Sequence, residues 1–258
     1  TKHVLLFPQD PHECFTHSAA ALDLAERLQT PIFVMTDLDI GMNQRLCKPF
    51  VWDDAKEYDR GKIMTAEELE AGKPFGRYRD VDGDGIPWRT LPGTHPSKGA
   101  FFTRGTSRNP QAMYSEAGAD YIYNMERLIR KFKTAANLVP QPIFRKAKQP
   151  TKLGVIYYGS TTPAMREALD VLERNGDHVD AMRLCAFPFP DSVSKFIAEH
   201  DKLFVAEQNR DGQMRTMLIN ELEVNPAKLI RVLHYDGTPI TARFIIRSIH
   251  DSVAKEAV

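Results

Sequence analysis

The sequence predicts an α/β protein whose last hundred or so residues wind a mostly parallel sheet. Three observations carry this expectation. From about residue 151 onward, short apolar runs alternate with amphipathic stretches of helical spacing. The runs are apolar at successive positions, as strands covered on both faces require. Polar residues are massed where strands give way to helices, in Gly159-Ser-Thr-Thr-Pro163 and in Glu207-Gln-Asn-Arg-Asp-Gly-Gln213. Such junctions are where α/β proteins concentrate function.

In chain order, His3-Val-Leu-Leu-Phe7 reads as a short buried strand. Asp10 suits an N-cap and Pro11 the first helical position, opening a helix to about Leu28. Cys14, Ser18, Ala21, Leu22, Ala25 and Leu28 fall near one face of that helix. Ile32-Phe-Val-Met-Thr36 is a second apolar strand, and the pair is expected to be parallel, covered on both sides, with a right-handed crossover. Residues 37–110 carry many Pro, Gly and charged residues and read as an ordered, irregular arm. One helix stands out within it at 65–72, with Thr65 and Glu68 spaced for a capping box. A helix is expected over 110–136, its basic residues Arg127, Arg130, Lys131 and Lys133 suiting the negative C-terminal end. Pro140, Pro142 and Pro150 bracket Arg145, Lys146 and Lys148 in an extended linker. Strands then follow at 153–158, 179–184, 203–207 and 230–235, with helices at 161–175, 191–200, 211–223 and 241–256.

Length and composition narrow the class. The 258 residues suffice for one large or two ordinary domains, and 42% hydrophobic with 26% charged residues is ordinary for a soluble globular chain. Acidic and basic residues balance at 34 each, so nothing argues for a nucleic-acid or membrane-surface partner. Cys14, Cys47 and Cys185 are too scattered for a disulfide framework or a zinc or iron–sulfur spacing, which points to a reducing, cytoplasmic setting. No apolar run reaches the length of a membrane span. The chain opens without Met on an apolar strand, which gives the expectation that it is the C-terminal piece of a longer polypeptide.

Several constellations invite chemistry. Ser160 and Thr161 sit in a strand-to-helix turn whose free N–H groups could hold an anion, or which could simply be a capped helix start. Arg210 could pair a carboxylate or phosphate, or its polar string could cap the next helix and bridge to a neighbouring chain. Asp80-Val-Asp-Gly-Asp-Gly85 matches the start of a calcium loop, with Asp80, Asp82 and Asp84 as ligands and the Ile86 carbonyl as a fourth. Position twelve of that loop is Leu91 where an EF-hand needs Glu, so a structural Ca²⁺ or Mg²⁺ and a solvated acidic turn both remain open. His12 and Cys14 would point about 200° apart on one helix and cannot share an ion. Arg89, His95, Arg104, Thr106, Ser107 and Arg108 cluster in the arm, where a surface or intersubunit role and a charged ligand are alternatives. No nucleophile elbow or paired-histidine zinc motif is present.

Five strings become recognisable together: Thr36-Asp-Leu-Asp-Ile-Gly-Met-Asn43, Asp84-Gly-Ile-Pro-Trp-Arg-Thr-Leu-Pro-Gly93, Phe101-Phe-Thr-Arg-Gly-Thr106, Glu207-Gln-Asn-Arg-Asp-Gly-Gln213 and Leu233-His-Tyr-Asp-Gly-Thr-Pro239. In that order, and over nearly all 258 residues, the chain resembles the alpha subunit of 2-oxoacid:ferredoxin oxidoreductases, most closely the 2-oxoglutarate type. The resemblance implies that residues 1–44 end a thiamine-diphosphate pyrimidine-type domain. It makes 45–150 an irregular arm, helix and linker, and 151–258 a transketolase C-terminal-like domain. It also implies a beta subunit carrying Mg²⁺-bound thiamine diphosphate and a [4Fe–4S] cluster. That complex turns a 2-oxoacid and coenzyme A into an acyl-CoA and passes electrons to ferredoxin. The family's Glu at the aminopyrimidine ring and its Tyr-Pro-Ile-Thr-Pro loop lie upstream of the region matching Thr1. No catalytic or cofactor-binding residue is therefore assigned here, and the fragment alone is expected to be inactive. The rival expectations are a non-catalytic module that docks the oxidoreductase onto another electron-transfer enzyme, and a free-standing calcium-binding α/β protein.

Overall fold

The structure, a computed structural model, describes residues 2–254. In chain order its elements begin with β1 (Val4–Leu6), α1 (Pro11–Leu28), β2 (Ile32–Val34), α2 (Leu38–Met42), α3 (Ala66–Glu70), α4 (Gly118–Ala136) and β3 (Ile143–Arg145). They continue with β4 (Leu153–Tyr158), α5 (Thr162–Asn175), β5 (Asp180–Leu184), β6 (Ala186–Phe187), α6 (Asp191–Glu199), β7 (Lys202–Glu207), α7 (Gln213–Leu222), β8 (Leu229–Leu233) and α8 (Ala242–Ala254). The predicted last residues of α8, 255 and 256, lie outside the described residues. The chain forms two compact units: residues 2–4, Ala19–Phe33 and Trp52–Val139 in one, and Leu5–Ser18, Val34–Val51 and the chain from Pro140 in the other.

The second unit is the wound sheet that the alternation predicts. Strand order is β3-β5-β4-β7-β8, with β5, β4, β7 and β8 parallel. The period-two geometry of β4 sends Val155 and Tyr157 into one layer and Ile156 into the other. Met165, Leu169 and Leu172 of α5 pack in the first layer with Ile245 and Ile249 of α8. Phe196 and Ile197 of α6 pack in the second layer with Met214 and Leu218 of α7. Fully buried Phe204 contributes to the first core, and truncating such a ring to Ala costs about 3–5 kcal/mol. Gly176, at φ 88°, ends α5 in the left-handed conformation that glycine adopts without strain.

Two edges differ from expectation. The linker read at 140–150 contains β3, which pairs antiparallel with β5 through Ile143↔Arg183 and Arg145↔Ala181. Its flanking prolines are tolerated because an edge strand needs only one side of its donors. The two-residue β6 pairs antiparallel with β1, Leu5 opposite Phe187, in a small sheet of order β2-β1-β6. The first two strands were expected to be covered on both faces, yet Phe33 is 48% and Met35 is 47% exposed.

In the first unit the arm is ordered by ion pairs and turns. Glu26 accepts from Arg60 and Arg89, and the Thr65–Glu68 capping box opens a short α3. Helix α4 starts at Gly118, later than 110. Arg127 and Lys131, two of the basic residues of its last turns, are each only 5% exposed. The reason is the tight packing of Gly85 on α4: an added Cβ there would sit 2.2 Å from the Lys131 nitrogen. At φ 80° that position is doubly reserved for glycine.

Candidate functional site

The chain order around β4 decides where a site belongs. The chain leaves β4 through α5 to β5 on one side, then returns through α6 to β7 on the other. The winding therefore reverses between β4 and β7, and ligands of open α/β sheets bind beyond the carboxyl ends of strands at such a reversal. A cleft of about 750 Å³ lies there. It is lined by Tyr158–Thr161 after β4, Gln208 and Asn209 after β7, Gly237–Pro239 after β8, and Met35–Asp39 with Met42 and Asn43 around α2.

A chain of side-chain hydrogen bonds organises its floor. Asp37 caps α2, its Oδ1 accepting from Ile40 N at 2.9 Å. Its Oδ2 accepts from the Ser160 hydroxyl at 2.5 Å. Ser160 Oγ in turn accepts from Gln208 Nε2 at 2.8 Å, and the Gln208 carbonyl oxygen accepts from Ile240 N at 3.2 Å. Gln208 thus ties the end of β4 to the segment entering α8. Gly159, at φ 58°, makes the sharp turn out of β4, and Thr162 Oγ1 donates back to its carbonyl at 2.8 Å. Burial pushes the Tyr158 phenol up, and the neighbouring Glu207 charge adds to this, so the hydroxyl keeps its proton.

Behind the cleft, Glu207 is fully buried and its carboxylate serves the start of α7. It accepts from Met214 N at 2.8 Å, Arg215 N at 3.0 Å and Asn209 Nδ2 at 2.8 Å. Asn209 Oδ1 accepts from Gly212 N at 2.7 Å, closing the turn. A carboxylate at a helix N-terminus meets unpaired N–H groups and the positive end of the dipole.

Of the sequence-nominated residues, the structure brings Ser160 and Thr161 together in the cleft and leaves Arg210 outside its lining. Arg210 is exposed and pairs with the adjacent Asp211 at 2.7 Å. Among the described residues the lining carries the carboxylates of Asp37 and Asp39 and no cationic side chain, so an anion there would meet like charge. The cleft's chemistry suits a neutral group that donates hydrogen bonds, beside an apolar wall that includes Met35, Met42, Met214 and Met217. Asp37 and Gln208 are the members that motif reading missed. The spacing of Asp37 before Ile40 marks an N-cap, but nothing local ties it to Ser160.

The Asp80–Ile86 turn is closed by a lysine. Lys62 Nζ lies 2.6 Å from Asp82 Oδ2, 2.8 Å from the Asp84 carboxylate and 3.0 Å from the Ile86 carbonyl. Asp80 accepts from Gly83 N, Gly85 N and Arg130 Nε. The oxygens nominated for Ca²⁺ or Mg²⁺ are thus engaged by an ammonium and by internal donors. Among the described residues no group of three or more His, Cys, Asp or Glu side chains is arranged to hold a metal ion. Cys14 is half-buried, Cys47 exposed and Cys185 buried.

No family model matches the chain. Among curated proteins, it is 25% identical over 242 residues to 2-oxoacid:ferredoxin oxidoreductase 1, subunit alpha, of Sulfurisphaera tokodaii, which covers 92% of this chain and 36% of that protein. It is 23% identical over 243 residues to the corresponding alpha subunit of Saccharolobus solfataricus, covering 92% and 37%. The chain therefore spans about a third of the length of the curated relatives it matches. Its fold is that of a solved 2-oxoglutarate:ferredoxin oxidoreductase from Magnetococcus marinus, with a TM-score of 0.76 at 20% identity over 97% of this chain and 42% of the other. That solved protein holds 2-oxoglutarate, coenzyme A and succinyl-CoA. Among the described residues no helix is long and apolar enough to cross a membrane. Over almost its whole length the chain is similar in sequence to alpha subunits of 2-oxoacid:ferredoxin oxidoreductases.

Proposed function

We propose that this chain forms part of the alpha subunit of a cytoplasmic, thiamine-diphosphate-dependent 2-oxoglutarate:ferredoxin oxidoreductase. The observation that carries this reading is the similarity to such alpha subunits over 92% of the chain. In the proposed reaction a 2-oxoacid and coenzyme A yield an acyl-CoA and carbon dioxide, and the electron pair released leaves through an iron–sulfur cluster to ferredoxin. Residues 1–44 complete a pyrimidine-type domain, 45–150 pack as an arm against partners, and 151–258, a transketolase C-terminal-like domain, brace the contact with a beta subunit.

The residues present do not form the cofactor sites themselves. The cleft's acids are engaged, Asp37 by Ser160 and Ile40 N and Asp39 by Arg45, so they are not arrayed for Mg²⁺ and a diphosphate. No set of cysteines among the described residues could ligate a cluster. Thiamine diphosphate, Mg²⁺ and [4Fe–4S] accordingly belong to the beta subunit and to the rest of the alpha subunit in this reading, and this chain alone does not turn over substrate.

The test is an assay of the complex purified through this chain. Coenzyme A-dependent reduction of a viologen dye should require 2-oxoglutarate, with pyruvate much poorer. Equal or better turnover of pyruvate would remove the 2-oxoglutarate assignment. A complex that reduces the dye with no 2-oxoacid would favour the docking-module alternative.

A further inference from the structure

Four cations converge in the first unit with little negative charge to meet them. The guanidinium carbons of Arg77, Arg108 and Arg127 lie 5.4, 5.1 and 5.6 Å from the centre of one ring, that of Tyr78. Lys131 follows Arg127 one turn along α4, and both are 5% exposed. Arg108 donates to the Tyr78 hydroxyl at 3.0 Å and to the Gly105 and Thr106 carbonyls at 2.9 and 3.3 Å, whereas few donors of the other three are used. Arg127 donates through Nη1 to the Gly85 carbonyl at 3.0 Å, while its buried Nε has no partner among the described residues. Lys131 Nζ reaches the Gln29 carbonyl at 3.4 Å, a weak contact. Arg77 leans on the rings of Tyr78 and Phe101 and forms no hydrogen bond among the described residues. Asp80, the carboxylate that acts on Arg127, is held by Arg130 at 2.9 Å.

Cations crowded away from water are unfavourable unless an anion joins them. Burial, with the charges of Arg127 and Arg77, pulls the Lys131 ammonium down to about 8, which reports the same uncompensated charge. We propose that Arg77, Arg127 and Lys131 bind the phosphoryl group of a small phosphate-bearing molecule. A phosphoryl group has enough oxygens to engage the free fork of Arg77, the unused Arg127 Nε and the Lys131 ammonium together. A protein carboxylate is disfavoured, because Arg127 and Lys131 lie too deep for another protein's surface to reach. This site is separate from the cleft beyond β4, and the inference does not rest on the proposed function.

The test is thermal denaturation of the intact protein with inorganic phosphate and with phenyl phosphate, each against sodium chloride of equal ionic strength. Both phosphates should raise the melting temperature saturably while chloride does not, and a lower half-saturation for phenyl phosphate would identify an organic ester as the source. The rise should fall at least tenfold in apparent affinity in Arg77→Met and in Lys131→Met. Arg77 makes no hydrogen bonds whose loss would impair folding, and ³¹P line broadening of phosphate by the unaltered protein is independent of either variant. No saturable effect beyond chloride, or an effect unchanged in Arg77→Met, would overturn the proposal.

Discussion

Replacing Lys131 by Met should stabilise this protein, the opposite of what most core substitutions do. The ammonium is buried against α4's own Arg127 and near Arg77, and its pKa is drawn from 10.5 to about 8. That displacement is worth roughly 3 kcal/mol against the charged form in the folded chain at neutral pH. The lost contacts are one 3.4 Å approach to the Gln29 carbonyl and a distant approach to the Phe132 ring, 5.5 Å from its centre, and Met keeps the length of the aliphatic stem. The sign follows from proton linkage. The unfolded chain holds this proton more tightly than the folded one, so unfolding takes up a proton between pH 8 and 10.5. The penalty is therefore complete below pH 8 and fades as the pH climbs towards 10.5. In phosphate-free buffer at pH 7, Lys131→Met should raise the melting temperature by roughly 6–12 °C, taking about 2–4 °C per kcal/mol for a chain of this size. The gain should shrink at pH 9 and vanish near 10.5. Calorimetry at the three pH values reads this directly. A variant less stable than the parent at pH 7, or a gain indifferent to pH, would refute the reasoning.

Three further outcomes follow from other sites. Glu13→Gln strands Arg183, whose side chain is 3% exposed and whose two terminal nitrogens lie 2.8 and 2.7 Å from the Glu13 oxygens; urea titration should show a loss of about 3–5 kcal/mol. Burial raises the Glu13 pKa, but the Arg183 hydrogen bonds and charge outweigh it and hold it below 4.5, so this contribution is present above pH 4.5 and is lost as the pH falls through the lowered value. Glu207→Ala removes the acceptor of the Met214 and Arg215 amides; hydrogen exchange at both should accelerate and stability should drop by roughly 2–3 kcal/mol, and unchanged exchange would contradict the capping role. Lys62→Met should free the Asp82, Asp84 and Ile86 oxygens for Ca²⁺ and change the fluorescence of Trp88, whose Nε1 donates to Asp82 at 3.0 Å. A calcium response in the unaltered protein would show that the lysine does not close the turn.

The parts of the fold that could be read from sequence are those decided by local patterns. β4, β5, β7 and β8, with α5 to α7 between them and α8 after them, follow from apolar runs and capping residues a few positions apart. The Thr65–Glu68 box was legible for the same reason. The rest depends on partners distant in the chain. Ser160 meets Asp37 across more than a hundred residues, and Lys62 reaches a turn that begins eighteen positions later, at Asp80. The two-residue β6 is too short to show a period, and β3 carries its signal in a register opposite β5. Helix α4 teaches a different lesson. Its periodicity correctly divides two faces, but the usual rule places the wrong one inside: Arg127 and Lys131 are buried while Tyr121, Ile122 and Ile129 are 52%, 58% and 54% exposed. Burial of that charged stripe is fixed by the close approach of Gly85, a contact that no window on the helix reveals.

The central claim is that this chain works as one piece of a composite oxidoreductase. Its most direct test is metal and cofactor analysis of the complex recovered from its native host through a tag on this chain. The account predicts a brown complex with a second polypeptide, iron and acid-labile sulfide in equal amounts, and thiamine diphosphate. A colourless, iron-free protein that elutes alone would contradict it.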